Sequence, residues 1–166
     1  MKKISLNHID ISNVFRPGDM GYVTFMHAVL YTDEFKFGPQ FEAYVAESFL
    51  EFHRQYNPAN NRVWVCRHEG RIIGFLALMN RGEAAQLRYF IIDPAYRGIG
   101  LGKKLMNDYM SFLKACGYKS SYLLTTHELG AAAHLYTSKG FVLTEQTESS
   151  AFGKTLIEQR YDLEEV

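Results

Sequence analysis

The chain has 166 residues, enough to bury a core without disulfide staples and few enough that residues 1–166 are expected to fold as a single domain. Apolar residues make up 47% and charged residues 22%, the balance of an ordinary soluble protein. Lys plus Arg equals Asp plus Glu at 18 each, which excludes the basic excess of most nucleic-acid binders, and no apolar run approaches the roughly 20 residues of a membrane span.

The start of the chain runs into polar residues, Ser5, Asn7, His8 and Asp10, without the apolar stretch of a secretion signal, so a cytoplasmic location is expected. Cys66 and Cys116 have no metal-ligand spacing and read as free thiols; no metal is expected.

Ile9 to Arg16 reads as a first strand, and Pro17-Gly18-Asp19 punctuates it, with Asp19 as a helix N-cap. A helix follows with Tyr22, Phe25, Met26, Val29 and Leu30 on one face, broken by Gly38-Pro39. A second helix carries Phe41, Val45, Phe49 and Phe52 on one stripe and ends before Asn57-Pro58. Arg62 to Arg67 and the apolar run Arg71 to Met79 read as a hairpin around Glu69-Gly70. Arg81-Gly82-Glu83 turns into a strand from Ala84 to Ile92, stopped by Asp93-Pro94. After a glycine-rich loop comes an amphipathic helix with Leu101, Leu105, Tyr109, Phe112, Leu113 and Cys116 on its apolar face and Gly117 beyond its end. Tyr118 to Thr125 is strand-like, Gly130 to Lys139 is a short helix, and Phe141 to Thr147 with Thr155 to Leu163 form a final antiparallel pair. The order βααβββαβαββ predicts a mixed α/β (α+β) fold on a mostly antiparallel sheet of six or seven strands with about four helices.

The glycine loop is the most informative stretch. In Arg97-Gly98-Ile99-Gly100-Leu101-Gly102-Lys103-Lys104 a helix begins inside the loop. Amide N–H groups at a helix start lack intrahelical partners and carry the positive end of the helix dipole, and glycines remove the Cβ atoms that would hold an anion off. The loop therefore reads as a main-chain cradle for phosphate oxygens, with the lysines at its rim. A P-loop would need Ser or Thr after Gly102-Lys103, and Lys104 stands there; a dinucleotide fingerprint would need its third glycine one residue later.

The spacing Arg-x-x-Gly-x-Gly, preceded by Leu87 to Pro94 and followed by Ala132-Ala133-His134-Leu135-Tyr136-Thr137-Ser138-Lys139-Gly140-Phe141, resembles the GNAT superfamily of N-acetyltransferases. More narrowly, Arg16-Pro17-Gly18-Asp19-Met20-Gly21, Ala85-Gln86-Leu87-Arg88 and Phe152-Gly153-Lys154 with Gln159 are similar to the acetyltransferase half of bacterial MarR–GNAT fusion proteins, without their winged-helix part.

The resemblance implies a fold in which the fourth strand splays from the fifth. It implies acetyl-CoA as co-substrate, with its pantetheine arm along the backbone of Phe90, Ile91 and Ile92 and its pyrophosphate on Arg97, Gly98, Ile99, Gly100, Leu101, Gly102 and Lys103. Tyr136 matches the general acid that protonates the departing thiolate. Many members carry Asn seven residues before that tyrosine; here the position is Leu129, and the role either passes to Thr126 or His127 or is absent.

No motif fixes the general base. Glu83 lies just before the fourth strand, while His27 and Glu34 lie on the first helix; a water chain could also serve. Tyr22, His27, Tyr31 and Tyr44 are candidates to line the acceptor pocket, although helical core packing explains the tyrosines nearly as well. The expected reaction is direct attack by a primary amine, of a small molecule rather than a nucleic acid, in a ternary complex. A protein N-acetyltransferase and a non-catalytic acyl-CoA sensor are the alternatives, and a homodimer stays open.

Overall fold

The computed structural model describes residues 4–166. A 3-10 turn, Leu6–His8, precedes a three-residue strand β1 (Asp10–Ser12). The helices α1 (Asp19–Phe35) and α2 (Pro39–Gln55) come next, then the strands β2 (Arg62–His68), β3 (Arg71–Arg81) and β4 (Ala84–Ile92). A 3-10 turn at Pro94–Tyr96 leads into α3 (Leu101–Ala115), followed by β5 (Ser120–Thr126), α4 (Gly130–Thr137), β6 (Val142–Ser149) and β7 (Leu156–Glu164).

All seven strands form one sheet in the order β1-β2-β3-β4-β5-β7-β6. Neighbours are antiparallel except β4 and β5, which run parallel. Parallel neighbours need a crossover, and α3 supplies it. The expected mixed α/β architecture is therefore present.

The sheet is covered on both faces by two separate apolar clusters. On one face Trp64, Leu76, Leu78 and Leu87 meet Leu105, Tyr109 and Leu113 of α3. On the other, Val63, Val65, Phe75 and Met79 meet Val23 and Met26 of α1 and Phe41, Phe49 and Phe52 of α2. Central strands covered on both sides read as continuous apolar runs, which is why Arg71 to Met79 lacks alternation.

Three expectations change. The first strand covers only Asp10–Ser12, held against Arg67 to Val65. Asp19 is the first helical residue, not the cap: Gly18, at φ 92°, occupies the cap position. The Asp19 carboxylate instead accepts the Arg16 amide and the Arg67 guanidinium, both at 2.7 Å, in a buried ion pair that ties α1 to β2. The inward face of α1 is rotated, with Val23, Met26 and His27 buried while Phe25 and Val29 are exposed. The cause is tertiary: Tyr31 stacks on Phe41 of α2 with ring centroids 4.6 Å apart, and His27 stacks on Tyr31. Among the described residues no helix is long and apolar enough to cross a membrane.

Candidate active site

The parallel pair sets the site. β4 and β5 are in register only from Ala84 opposite Ser120 to Leu87 opposite Leu123. Beyond that, β4 stays with β3 through Ile92 and β5 stays with β7 through Thr126. The strands part, and a cleft of about 320 Å³ opens between them.

A bulge in β4 begins at the point of parting. Phe75 pairs with Ile91 and Ala77 with Arg88, so Leu76 stands opposite two residues, Tyr89 and Phe90. Tyr89 takes φ 57°, costly for a tyrosine. Its ring lies flat on Phe49 at 4.0 Å, and its hydroxyl donates to Ser48 Oγ at 3.0 Å. Those contacts hold the strained residue in place and turn Arg88 toward the same cleft that Phe90 lines.

The glycine loop sits at the outer end of β4. Gly98 and Gly100 take φ 78° and 90°, which a side chain would resist. The amide of Arg97 donates to Pro94 carbonyl, but among the described residues the amides from Gly98 to Lys103 find no acceptor within the chain. Six consecutive free donors at the start of α3 suit a pyrophosphate. Arg97 thus departs from the expected main-chain role. Its guanidinium holds the Glu34 carboxylate by two bonds of 2.9 and 2.7 Å and the Ile92 carbonyl at 3.2 Å. Glu34 is therefore engaged beside the loop and is not a base in the cleft. Lys104 is bound to Asp108 at 2.7 Å.

Tyr136 closes the inner end. It stands on the last turn of α4, 5% exposed, with its ring between Phe90, Phe141 and Tyr161. Its hydroxyl makes no hydrogen bond among the described residues, and it lines the cleft. Burial, reinforced by neighbouring Tyr31, Tyr109 and Tyr161, raises its pKa, so the phenol keeps its proton throughout the neutral range. Leu129 and Thr126 line the cleft beside it, and the Thr126 hydroxyl is buried without a partner. His127 is turned away, its Nδ1 accepting the Ile157 amide at 3.1 Å.

His27, Tyr31 and Tyr44 also reach the cleft. His27 is 3% exposed, and its Nδ1–H donates to the Val23 carbonyl at 2.8 Å, which leaves Nε2 as the lone pair. Burial lowers its pKa from 6.5 to about 4, partly opposed by that hydrogen bond. Tyr22 does not reach the site; it packs on Phe25. Neither does Glu83. It is in the turn before β4, at the end opposite Phe90 and roughly 20 Å along the strand, where it meets Lys119 in an exposed pair. Adjacency to the strand in sequence put it at the wrong end.

Three residues given no site role in the sequence also line the cleft: Arg88 and Phe152, which lie in segments quoted for the narrower resemblance, and Glu158. Phe152 belongs to the loop between β6 and β7, which folds over the α1–α2 junction. The Gly38 amide donates to Phe152 carbonyl at 2.8 Å, and Lys154 joins the Glu128 carboxylate at 2.6 Å and the Phe35 carbonyl at 2.9 Å. Gly153, at φ 84°, lies so near Gly38 that a Cβ would stand 3.2 Å from its Cα. The signals for Arg88 were its charge within an apolar strand and, for Phe152, the Gly that follows; Glu158 comes from the last strand and gave none.

Comparison with known proteins decides the family. Residues 59–143 match the acetyltransferase (GNAT) domain, covering the sheet centre, the loop and Tyr136. An uncharacterized N-acetyltransferase of Schizosaccharomyces pombe is 30% identical over 142 residues, 84% of this chain and 86% of that one. The chain belongs to the GNAT acetyltransferase family. A second relative, the uncharacterized N-acetyltransferase YjgM of Escherichia coli, is 35% identical over 95 residues; the match takes in 55% of this chain and 57% of that protein, under two thirds of its length. The fold recurs in the spermidine N-acetyltransferase of Vibrio cholerae solved with CoA and spermine, at TM-score 0.68 and 18% identity over 96% of both chains. Among the described residues no cluster of three His, Cys, Asp or Glu could hold a metal ion.

Proposed function

We propose that this GNAT chain, acting as a single catalytic domain, transfers an acetyl group from acetyl-CoA to a primary amine of a small molecule by direct attack in a ternary complex. The observation that carries the reading is the set of groups placed along β4: six free amides from Gly98 to Lys103 beyond its outer end, the flank that β5 leaves unpaired, and the unpartnered hydroxyl of Tyr136 in the cleft. The CoA complex of the Vibrio cholerae relative, which shares the fold, supports the same occupant. Acetyl-CoA when bound supplies the acetyl group as a thioester, which an amine attacks with loss of the thiolate.

The residues divide that work. Gly98 to Lys103 receive the pyrophosphate on main-chain donors, and Arg97 holds the loop to α1 through Glu34. Phe90, Ile91 and Ile92 offer the strand flank that β5 leaves uncovered, and Thr126 offers a buried hydroxyl where Leu129 replaces the commoner Asn. Tyr136 gives its proton to the departing sulfur, and the proton that the nitrogen sheds on becoming an amide restores the phenol; its raised pKa suits a group that must stay protonated until the thiolate forms. His27, neutral and with Nε2 free, offers an acceptor for an N–H of the incoming amine. Within the superfamily we read the chain as nearest the acetyltransferase half of MarR–GNAT fusions. The segments behind that likeness have structural work: Asp19 binds Arg67, and Phe152 to Lys154 close the cleft.

The test is release of CoA in the presence of a broad set of amines, with acetyl-CoA binding followed by calorimetry. Turnover above hydrolysis is expected. Tight binding without turnover would favour a sensor, and the absence of any binding heat would sink the reading altogether.

A further inference from the structure

Two charges in the cleft have no part in the transfer just described. Arg88 is the first. Its side chain is only 9% exposed, yet its nearest carboxylate oxygen, Oε2 of Glu51, stands 3.4 Å away. The other oxygen of that carboxylate is taken by Arg81 at 2.7 Å. The remaining neighbours of the guanidinium are the Tyr44 hydroxyl at 3.5 Å, Met79 Sδ at 3.7 Å and the Tyr89 ring, whose centroid lies 5.1 Å from Cζ; none of them carries a negative charge. Well-made N–H···O bonds are nearer about 2.9 Å, and a desolvated guanidinium ordinarily grips a carboxylate with two of them. Glu51 is shared between two arginines, so this trio carries one uncompensated positive charge beside the cleft.

Glu158 is the second. It lines the same cleft from β7, opposite Thr126, and is half-buried. Among the described residues its carboxylate makes neither a hydrogen bond nor an ion pair, and it is the one carboxylate on the cleft wall. The surface around the two charges is apolar, from Phe41, Phe152 and Leu124.

We infer that the acceptor is an α-amino acid with an aliphatic or aromatic side chain, its carboxylate held by Arg88 and its ammonium drawn by Glu158. The inference rests on the acetyl-transfer reading and narrows its acceptor. A simple amine would leave the Arg88 donors facing water or bulk anion. A zwitterion matches both charges at once and offers the apolar wall an apolar body. Arg88 sits one residue beyond Leu87, the last point where β4 pairs with β5, so a carboxylate there anchors the acceptor at the mouth of the opening that Tyr136 closes. The fork geometry of Arg also suits a planar carboxylate better than Lys would.

The experiment compares each aliphatic and aromatic amino acid with its carboxamide and its decarboxylated amine, measuring kcat/KM for CoA release by the unaltered protein. A preference of about ten- to a hundredfold for the free acid is expected, the range of a lost charge-assisted hydrogen bond. Arg88→Gln should erase the preference while acetyl-CoA affinity stays the same, and Arg88→Lys should retain part of it. If Arg88→Gln does not fold, the unaltered protein and Arg88→Lys still decide. Turnover of all three forms at equal efficiency overturns the inference and leaves acetyl transfer standing, as does a preference that survives Arg88→Gln in protein that binds acetyl-CoA. No turnover with any amine overturns the transfer reading and the inference with it.

Discussion

His27 makes a prediction in which stability and mechanism meet. The ring is 3% exposed between Tyr31, Phe41 and Tyr89, and burial lowers its pKa from 6.5 to about 4. Between those values the unfolded chain binds a proton that the folded chain refuses. Stability is therefore whole above about pH 6.5, drains as pH falls, and stops draining near the folded value, where the buried ring protonates too. One pKa unit is worth about 1.36 kcal/mol, so the loss attributable to His27 is roughly 3 kcal/mol. That is a large share of the 5–15 kcal/mol, or about 10, that holds a typical domain together. Urea midpoints measured from about pH 7.5 down to about 4.5, with constant m-values, would follow it. His27→Phe keeps the aromatic stack and removes the titration, so its curve should lack most of that slope. Glu51 and Asp162, whose pKa values are held down by hydrogen bonds from Arg81 and Arg160, lose their contribution lower in the range and do so in both proteins. Parallel curves for the two proteins would refute the argument. The same depression means that the rate profile should have no inflection near 6.5 from this ring, since a neutral imidazole on both sides of that pH changes nothing.

Three further substitutions test the assigned parts. Tyr136→Phe should lower kcat by about ten- to a thousandfold with acetyl-CoA affinity and folding stability unchanged, because the hydroxyl has no partner to lose; an unchanged kcat would remove Tyr136 from the chemistry. Gly100→Ala imposes a side chain at φ 90° and should cost about 1 kcal/mol of stability while weakening acetyl-CoA about tenfold by re-aiming the amides; equal calorimetric affinity would argue against the cradle. Gly153→Ala would push a Cβ to 2.9 Å from Gln40 Oε1 and 3.2 Å from Gly38 Cα, so the Phe152 loop should lift. The acceptor KM should then rise with acetyl-CoA affinity unchanged, and steady-state kinetics with both substrates varied would separate the two.

The fold was legible wherever local chemistry punctuates the chain. Pro39 opens α2 at its first turn, Glu69 and Gly70 take φ 50° and 81° in the first hairpin, and Gly117 takes φ 73° beyond α3. Each of these forces a backbone choice that distant contacts cannot easily reverse. The inward face of α1 was illegible because Phe25 and Val29 keep the same spacing as the residues that go in; the aromatic partner on α2 decides between them. The bulge at Tyr89 left no mark either. A glycine would have announced it, whereas here a tyrosine holds a positive φ through a stack on Phe49, which no local pattern encodes.

The site divides along the same line. The CoA side is encoded by contiguous residues, from Gly98 to Lys103 and from Ala132 to Phe141, because main-chain donors and a short helix are local objects. The cleft proposed for the acceptor draws single residues from α1, α2, β4, β7 and the β6–β7 loop, and only the sheet order brings them together. Glu83 and Glu158 show the consequence. One is next to β4 in sequence and lies at its far end; the other stands 70 positions beyond Arg88, 158 less 88, and shares its cleft. β7 pairs with β5 through Thr126 opposite Glu158, so it follows β5 away from β4 and carries that carboxylate to the opening. The parting of two parallel strands at Leu87 and Leu123 therefore does two things at once. It bares the β4 flank and brings Arg88 and Glu158 to the two banks of one cleft, so on the proposed assignment acceptor choice should be altered by changes on β4 and β7 that leave acetyl-CoA binding intact.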